Sequence, residues 1–256
     1  MDPYAWSWNP EALVLIPALT VAYALALRSF PAPWWRVVCF GSAMALLLAV
    51  SITPLETLAM NYLLVVHLLQ NVVLAEWAPL LVVLGIPPAL AAILARSRPA
   101  RVLTHPGVAL PLWVGNYMVW HLPWIYDAAL RNPHSLLHLE HALYFATGIA
   151  MWWSVFQDEP HRLGSGARAA YVFAAFVLAS PIGLVMALVP DVIYDFYADV
   201  SERLWGLSAL EDQQFAGMLM SVEAATVFFV VFVYWFFRFL AEEDRREDVD
   251  RPPSTA

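Results

Sequence analysis

Arg168-Ala-Ala-Tyr-Val-Phe-Ala-Ala-Phe-Val-Leu-Ala-Ser-Pro-Ile-Gly-Leu-Val-Met-Ala-Leu-Val189 carries no charged side chain after its first residue. About 20 consecutive apolar residues are enough for a helix to cross the hydrocarbon of a bilayer, and this stretch meets that length. Its apolar residues are continuous rather than alternating, and backbone polar groups cannot go unpaired in lipid, so the segment predicts a helix and not a barrel strand. The same reading applied outward gives seven expected spans, at roughly residues 11 to 29, 35 to 53, 58 to 84, 107 to 124, 135 to 156, 168 to 189 and 213 to 240. The expected fold is therefore all-α, a polytopic membrane bundle of seven transmembrane helices. In the third span, Gly85, Pro87 and Pro88 predict a break followed by a short interfacial piece from Ala89 to Ala95.

Composition agrees with a chain that lives in a lipid bilayer. It is 61% hydrophobic and 13% charged, with a mean hydropathy of +0.64. Residues 1–240 are expected to form the membrane domain. Residues 241–256 are charged, end in a segment containing Pro252 and Pro253, and have nothing to bury, which predicts a disordered cytoplasmic tail. Met1 to Pro10 lacks the positive region of a cleavable signal peptide, so the first span is expected to stay in the protein.

Orientation follows from the arginines, which carry all the fixed positive charge because there is no lysine. With the N-terminus outside, Arg28, Arg36, Arg96, Arg98, Arg101, Arg162, Arg168, Arg238, Arg245, Arg246 and Arg251 fall on the inner side. Only Arg131 and Arg203 fall on the other, so the positive-inside rule predicts an outer N-terminus and an inner C-terminus. The net charge of -8 gathers in the tail and in the outer connection from Asp191 to Asp212. An acidic membrane chain is not a nucleic-acid binder.

The chemistry is carried by histidine. His121, His134, His138 and His141 lie between Trp120 and Ala142. His134, His138 and His141 are spaced i, i+4 and i+7, which puts them on one helix face. With this topology His121 lies at the outer end of the fourth span and His138 and His141 at the start of the fifth. His67 is placed about 13 Å below the outer end of the third, counting ~1.5 Å per residue from Leu58. Three helices thus bring imidazoles to the outer third of the bundle. Asp212 opens the seventh span at the same level, with Met218 about two turns deeper at 3.6 residues per turn.

Ionisable groups are costly to hold in a membrane, so this convergence predicts a metal site of His67, His121, His138, His141, Asp212 and Met218. Neutral imidazole with thioether suits copper. Glu140 either faces Arg131 or hydrogen-bonds a ligand histidine's second nitrogen. Cys39 is the single cysteine, which excludes a disulfide or a two-thiolate site within the chain.

Four motifs resemble one family. His67-Leu-Leu-Gln70-Asn71 followed by Ala78-Pro79 and Gly85-Ile-Pro87, Trp120-His121-Leu-Pro123 with Tyr126-Asp127, His138-Leu-Glu140-His141, and Asp212-Gln213-Gln214-Phe-Ala-Gly217-Met-Leu-Met220 are similar, in this order, to the CtaG family of cytochrome c oxidase assembly factors. The resemblance covers about residues 10 to 240. It implies a multi-pass protein of the bacterial plasma membrane, not an enzyme, that helps mature a haem-copper oxidase, with copper ion, oxidase subunits and the lipid bilayer as partners. His67, His121, His138 and His141 match the family's intramembrane histidines, and Asp212 its acid at the last span. One departure stands out, because Asn71 occupies the position where the family commonly has a second histidine four residues after the first. Asparagine is a poor ligand for a soft metal.

Two other readings remain open on the residues alone. Histidines on two helices could ligate a haem axially, although crowding at one edge suits a small ion better. Glu76 and Glu223, deep in the third and seventh spans, could serve a proton or ion transporter, but no internal repeat supports one. A seven-span retinal protein is excluded, since its Schiff base requires a lysine.

Overall fold

The computed structural model describes residues 2–250, and side chains through residue 247. No strand occurs among the described residues. The helices are α1 (Pro10–Ala26), α2 (Trp34–Ile52), α3 (Pro54–Asn61), α4 (Leu64–Val72), α5 (Ala78–Gly85), α6 (Pro88–Leu94), α7 (Arg98–Leu103), α8 (Pro106–Trp120), α9 (Pro123–Arg131), α10 (His138–Phe156), α11 (Ser165–Leu188), α12 (Asp195–Ala198) and α13 (Ala209–Asp250).

Four of these are long and apolar enough to cross a membrane: α2, α4 through α5 as one 22-residue run, α11 and α13. The three other expected spans correspond to shorter or more polar helices. The helices α1 and α8 have 17 and 15 residues, about 26 and 23 Å at 1.5 Å per residue against a hydrocarbon of about 30 Å. Helix α10 has 19 residues but opens on His138, Glu140 and His141.

The third expected span begins later than the apolar pattern predicts. Residues 58–63 do not run into it; α3 ends at Asn61, and Leu63 is extended at φ -131° and ψ 119°. The cause is remote in sequence, because the carboxylate of Asp212 accepts from the backbone N–H groups of Leu64 and Val65 at 2.8 and 2.9 Å. Those are among the donors that a helix N-terminus leaves unpaired, and a carboxylate there satisfies them and complements the helix dipole. His67 consequently sits in the first turn of α4, about 5 Å from its start at 1.5 Å per residue, and not 13 Å down a longer helix.

Between α4 and α5 the chain makes a π turn, Val73–Trp77, closed by a bond from the N–H of Ala78 to the carbonyl of Val73. Pro79 explains it. A proline has no N–H to give the carbonyl four residues back and its ring crowds that carbonyl, so the helix widens locally. The stranded carbonyl of Ala75 receives the indole N–H of Trp113 instead, at 3.3 Å, and the carbonyl of Glu76 receives that of Trp152 at 3.0 Å. Tryptophans at the ends of spans predict an interfacial belt, but Trp120, Trp152 and Trp153 are buried. Trp34 and Trp124 remain exposed as such a belt requires.

Two glycines let backbones meet. A Cβ on Gly148 of α10 would lie 2.2 Å from the carbonyl oxygen of Ala75, and one on Gly217 of α13 would lie 2.4 Å from the amide of Ala187 and 2.6 Å from the carbonyl of Gly183. Small residues at such crossings are the usual basis of close helix packing in membranes. The expected break after Gly85 is present and α6 is the short piece beyond it. Helix α13 continues to Asp250, so residues 241–250 of the expected disordered tail are helical, with Arg246 paired to Glu243. The rest of that tail, 251–256, lies outside the described residues.

Candidate functional site

At the end of the bundle where α4 begins, two imidazoles flank one phenol and a third stands beside the first. Tyr126 of α9 has His67 at 5.5 Å on one side and His121 at 6.0 Å on another, ring centroid to ring centroid. His141 of α10 lies 6.2 Å from His67. Tyr126 stacks on Tyr194 at 4.1 Å, and Tyr197 of α12 closes the far side of His67 at 6.2 Å.

His121, Tyr194 and Tyr197 are each held by an identifiable hydrogen bond. His121 ends α8 at its C-cap, placed there by the turn that Pro123 starts. Its Nδ1 lies 2.8 Å from the carbonyl of Tyr117. A carbonyl only accepts, so Nδ1 bears the proton and Nε2 is left with its lone pair. Tyr194 donates to the backbone carbonyl of His121 at 3.2 Å. Tyr197 donates to the carbonyl of Ala59 at 2.6 Å. The segment bearing these two tyrosines is itself tied down, since Asp127 accepts from the N–H groups of Asp195 and Phe196. Gln213 accepts from Ile193 N–H and donates to Asp191 carbonyl. Burial pushes the phenols of Tyr126, Tyr194 and Tyr197 well up from their ordinary range, so all three stay protonated.

What distinguishes the cluster is unspent hydrogen-bonding capacity. Both ring nitrogens of His67, Nε2 of His121, Nε2 of His141 and the hydroxyl of Tyr126 are buried without a partner. His67 is 0% exposed and His121 7%. Buried polar groups are ordinarily paired, and each unpaired one costs on the order of 1–3 kcal/mol.

Beside this cluster lies a second group of side chains. A cavity of about 550 Å³ is lined by His134, His138, His141, Glu56, Glu11 and Asn61 among others. His138 stands beside His134 at 6.1 Å. His141 therefore belongs both to the open cavity and to the buried cluster. Glu56 accepts from the amide of Gln70, and its burial pushes its carboxyl up to about 7.

Of the six residues singled out from the sequence, the fold brings together His67, His121 and His141. His138 lies one step outward, in the cavity. Asp212 has both carboxylate oxygens engaged as the cap of α4. Met218 is 45% exposed and lines an apolar depression with Val65, Trp205 and Phe215, a set that contains no histidine. Among the described residues, no three His, Cys, Asp or Glu side chains are grouped closely enough to hold one ion in the present arrangement.

The neighbours fall into place accordingly. Glu140 does not face Arg131, which lies 3.9 Å from Asp199. It receives the amide of Asn71 at 3.4 Å and the hydroxyl of Tyr144. Glu76 and Glu223 face each other, with the indole of Trp77 donating to Glu223. Tyr126 shows in the sequence only as part of the Trp120 to Asp127 motif, and Tyr194 and Tyr197 carry no local signal there.

A family model described as cytochrome c oxidase caa3 assembly factor (Caa3_CtaG) matches residues 20–242. Neither a curated protein nor a solved structure matches the chain.

Proposed function

Since the chain belongs to the cytochrome c oxidase caa3 assembly factor family, we propose that its part in oxidase assembly is to accept copper(I) at the outer cavity and hold it transiently among His141, His67 and His121 for transfer to an oxidase subunit. The role is non-catalytic. The cargo ion first meets His134 and His138, passes to His141, and reaches the buried rings. The observation that carries this reading is the set of buried imidazole nitrogens without partners around Tyr126. An unpaired lone pair in an apolar bundle is a standing cost that a soft cation relieves, and neutral imidazole is a suitable donor for copper. His67 and His141 stand 6.2 Å apart, ring centroid to ring centroid, so a modest shift of either ring is all that sharing an ion would need. Delivery requires release, so a carrier need not hold its ion tightly.

In the same proposal the chain crosses the plasma membrane of a bacterium seven times from an outer N-terminus, with the end of the bundle that holds His67, His121 and His141 outward and the arginine-rich end inward.

The test is an oxidase spectrum of cells with and without the gene, over a range of external copper. Loss of the oxidase haem absorption that excess copper restores is the expected result. Loss that no copper concentration restores would overturn delivery and leave a folding or haem role. A haem Soret band retained by the purified protein would favour the haem alternative.

A further inference from the structure

At the opposite end of the bundle from the histidines, a cavity of about 650 Å³ opens between α2, α5, the 156–165 connection and α13. Its lining contains Arg36, Arg162, Arg168 and Arg238 against Asp158 and Glu242. Four guanidinium groups facing two carboxylates leave a positive excess in a recess at a membrane edge.

The arginines are of two kinds. Arg36 and Arg168 are built in: Arg36 donates to the carbonyls of Leu84 and Ile86 at 2.7 and 2.8 Å, and Arg168, whose side chain is 6% exposed, donates to the carbonyl of Leu163 at 3.0 Å and pairs with Asp158. Arg162 and Arg238 are the more exposed pair, with side chains 80% and 54% exposed and carboxylate contacts of 3.8 and 3.6 Å, and Arg238 also donates to the hydroxyl of Tyr234 at 3.2 Å. Trp235 carries both Arg168 and Arg238 over its ring, at 4.5 and 5.5 Å, and Trp35 carries Arg36 at 4.4 Å. Trp35 lies in the first turn of α2 and is 40% exposed, and an exposed indole at a helix end marks the depth of lipid headgroups. The wall then changes character along α13, where Val230 is 62% exposed. A recess that is guanidinium-lined at headgroup depth and apolar toward the hydrocarbon has the two-part chemistry of one phospholipid molecule. Planar guanidinium groups match phosphate oxygens two at a time, and basic recesses between transmembrane helices are a known way of holding anionic headgroups.

We propose that this cavity binds the headgroup of an anionic phospholipid from the leaflet at this end, with its phosphate between Arg162 and Arg238 and its acyl chains along Val230. The site is independent of the copper reading.

The test uses the full chain in detergent micelles doped with phosphatidylglycerol, with phosphatidylcholine, or with inorganic phosphate and no lipid. Retained lipid is counted by native mass spectrometry and the thermal midpoint is read in parallel. Phosphatidylglycerol is expected to be retained at least tenfold over phosphatidylcholine and to raise the midpoint, while inorganic phosphate does neither. R162Q/R238Q is expected to abolish the preference with unchanged helicity, and R162K/R238K to keep most of it. Equal retention of the two lipids, an undiminished preference in R162Q/R238Q, or a phosphate effect equal to that of the lipid would each overturn the proposal.

Discussion

The imidazoles of His67 and His141 stand 6.2 Å apart at an interplanar angle of 42°, on helices that meet only in the folded bundle, and neither has a hydrogen-bond partner for its Nε2. His141 also lines the cavity that holds His134 and His138. The pair therefore joins open space to buried space, which is the arrangement a transfer site needs. Four measurements bear on this account and on the fold that supports it.

Asp212 acts through the backbone of α4. Replacing it with alanine removes two bonds to amide donors and the charge that favours a helix N-terminus. The expected cost is about 2 kcal/mol of stability, read as a lower thermal midpoint in detergent. Copper stoichiometry in D212A is expected to match the wild type, and a D212A protein that folds normally but loses copper would show the carboxylate to be a ligand.

Helix contact at the π turn depends on having no side chain at residue 148. Gly148→Ala drives a methyl into the Ala75 carbonyl and the ring of Pro79, so a loss of about 1–3 kcal/mol is expected from overpacking. Gly115 supplies the control, because a Cβ there meets nothing within 4 Å. G115A is expected to be neutral or slightly stabilising, as alanine is the better helix former. Equal midpoints for the two variants would contradict the close approach.

Protonation of Glu56 gives a pH signature. Its carboxyl is held at about 7 in the fold, chiefly by burial, against an ordinary value of 4.5. A carboxyl with a raised folded value favours the fold while it is neutral. Its contribution is complete below about pH 4.5 and is lost as the pH rises through about 7. The thermal midpoint of the wild type should accordingly fall between pH 5 and pH 8 relative to that of Glu56→Gln, which has no proton to lose. Parallel pH profiles for the two proteins would refute the assignment.

Much of this fold is written in local pattern. The apolar runs mark α2, α5, α11 and α13, and Gly85 with Pro87 and Pro88 marks the break before α6. Counting residues along the expected spans puts His67, His121 and His141 toward one end of the bundle, although His67 sits in the first turn of its helix and not about 13 Å down it. What local pattern could not carry is contact between residues far apart in sequence. Asp212 reaches Leu64 across 148 positions and moves the start of the third span. Trp152 reaches Glu76 across 76 and leaves the interface for the core. Tyr194 and Tyr197 sit in an acidic connection whose composition reads as solvated loop, yet Asp127 and Gln213 fold it over the histidines. Pro79 announced a helix irregularity, but its remedy, the indole of Trp113, lay on another helix.

The most direct measurement is the copper(I) to protein ratio of the purified chain loaded under reducing conditions, compared with H67A/H141A and with H105A/H161A. The second double variant removes the histidine pair on the connections flanking α8 and α11, whose rings lie 4.7 Å apart. A fixed ratio in the wild type, kept in H105A/H161A and lost in H67A/H141A, is the predicted result. A ratio unchanged in H67A/H141A would contradict the claim that these buried imidazoles receive the ion.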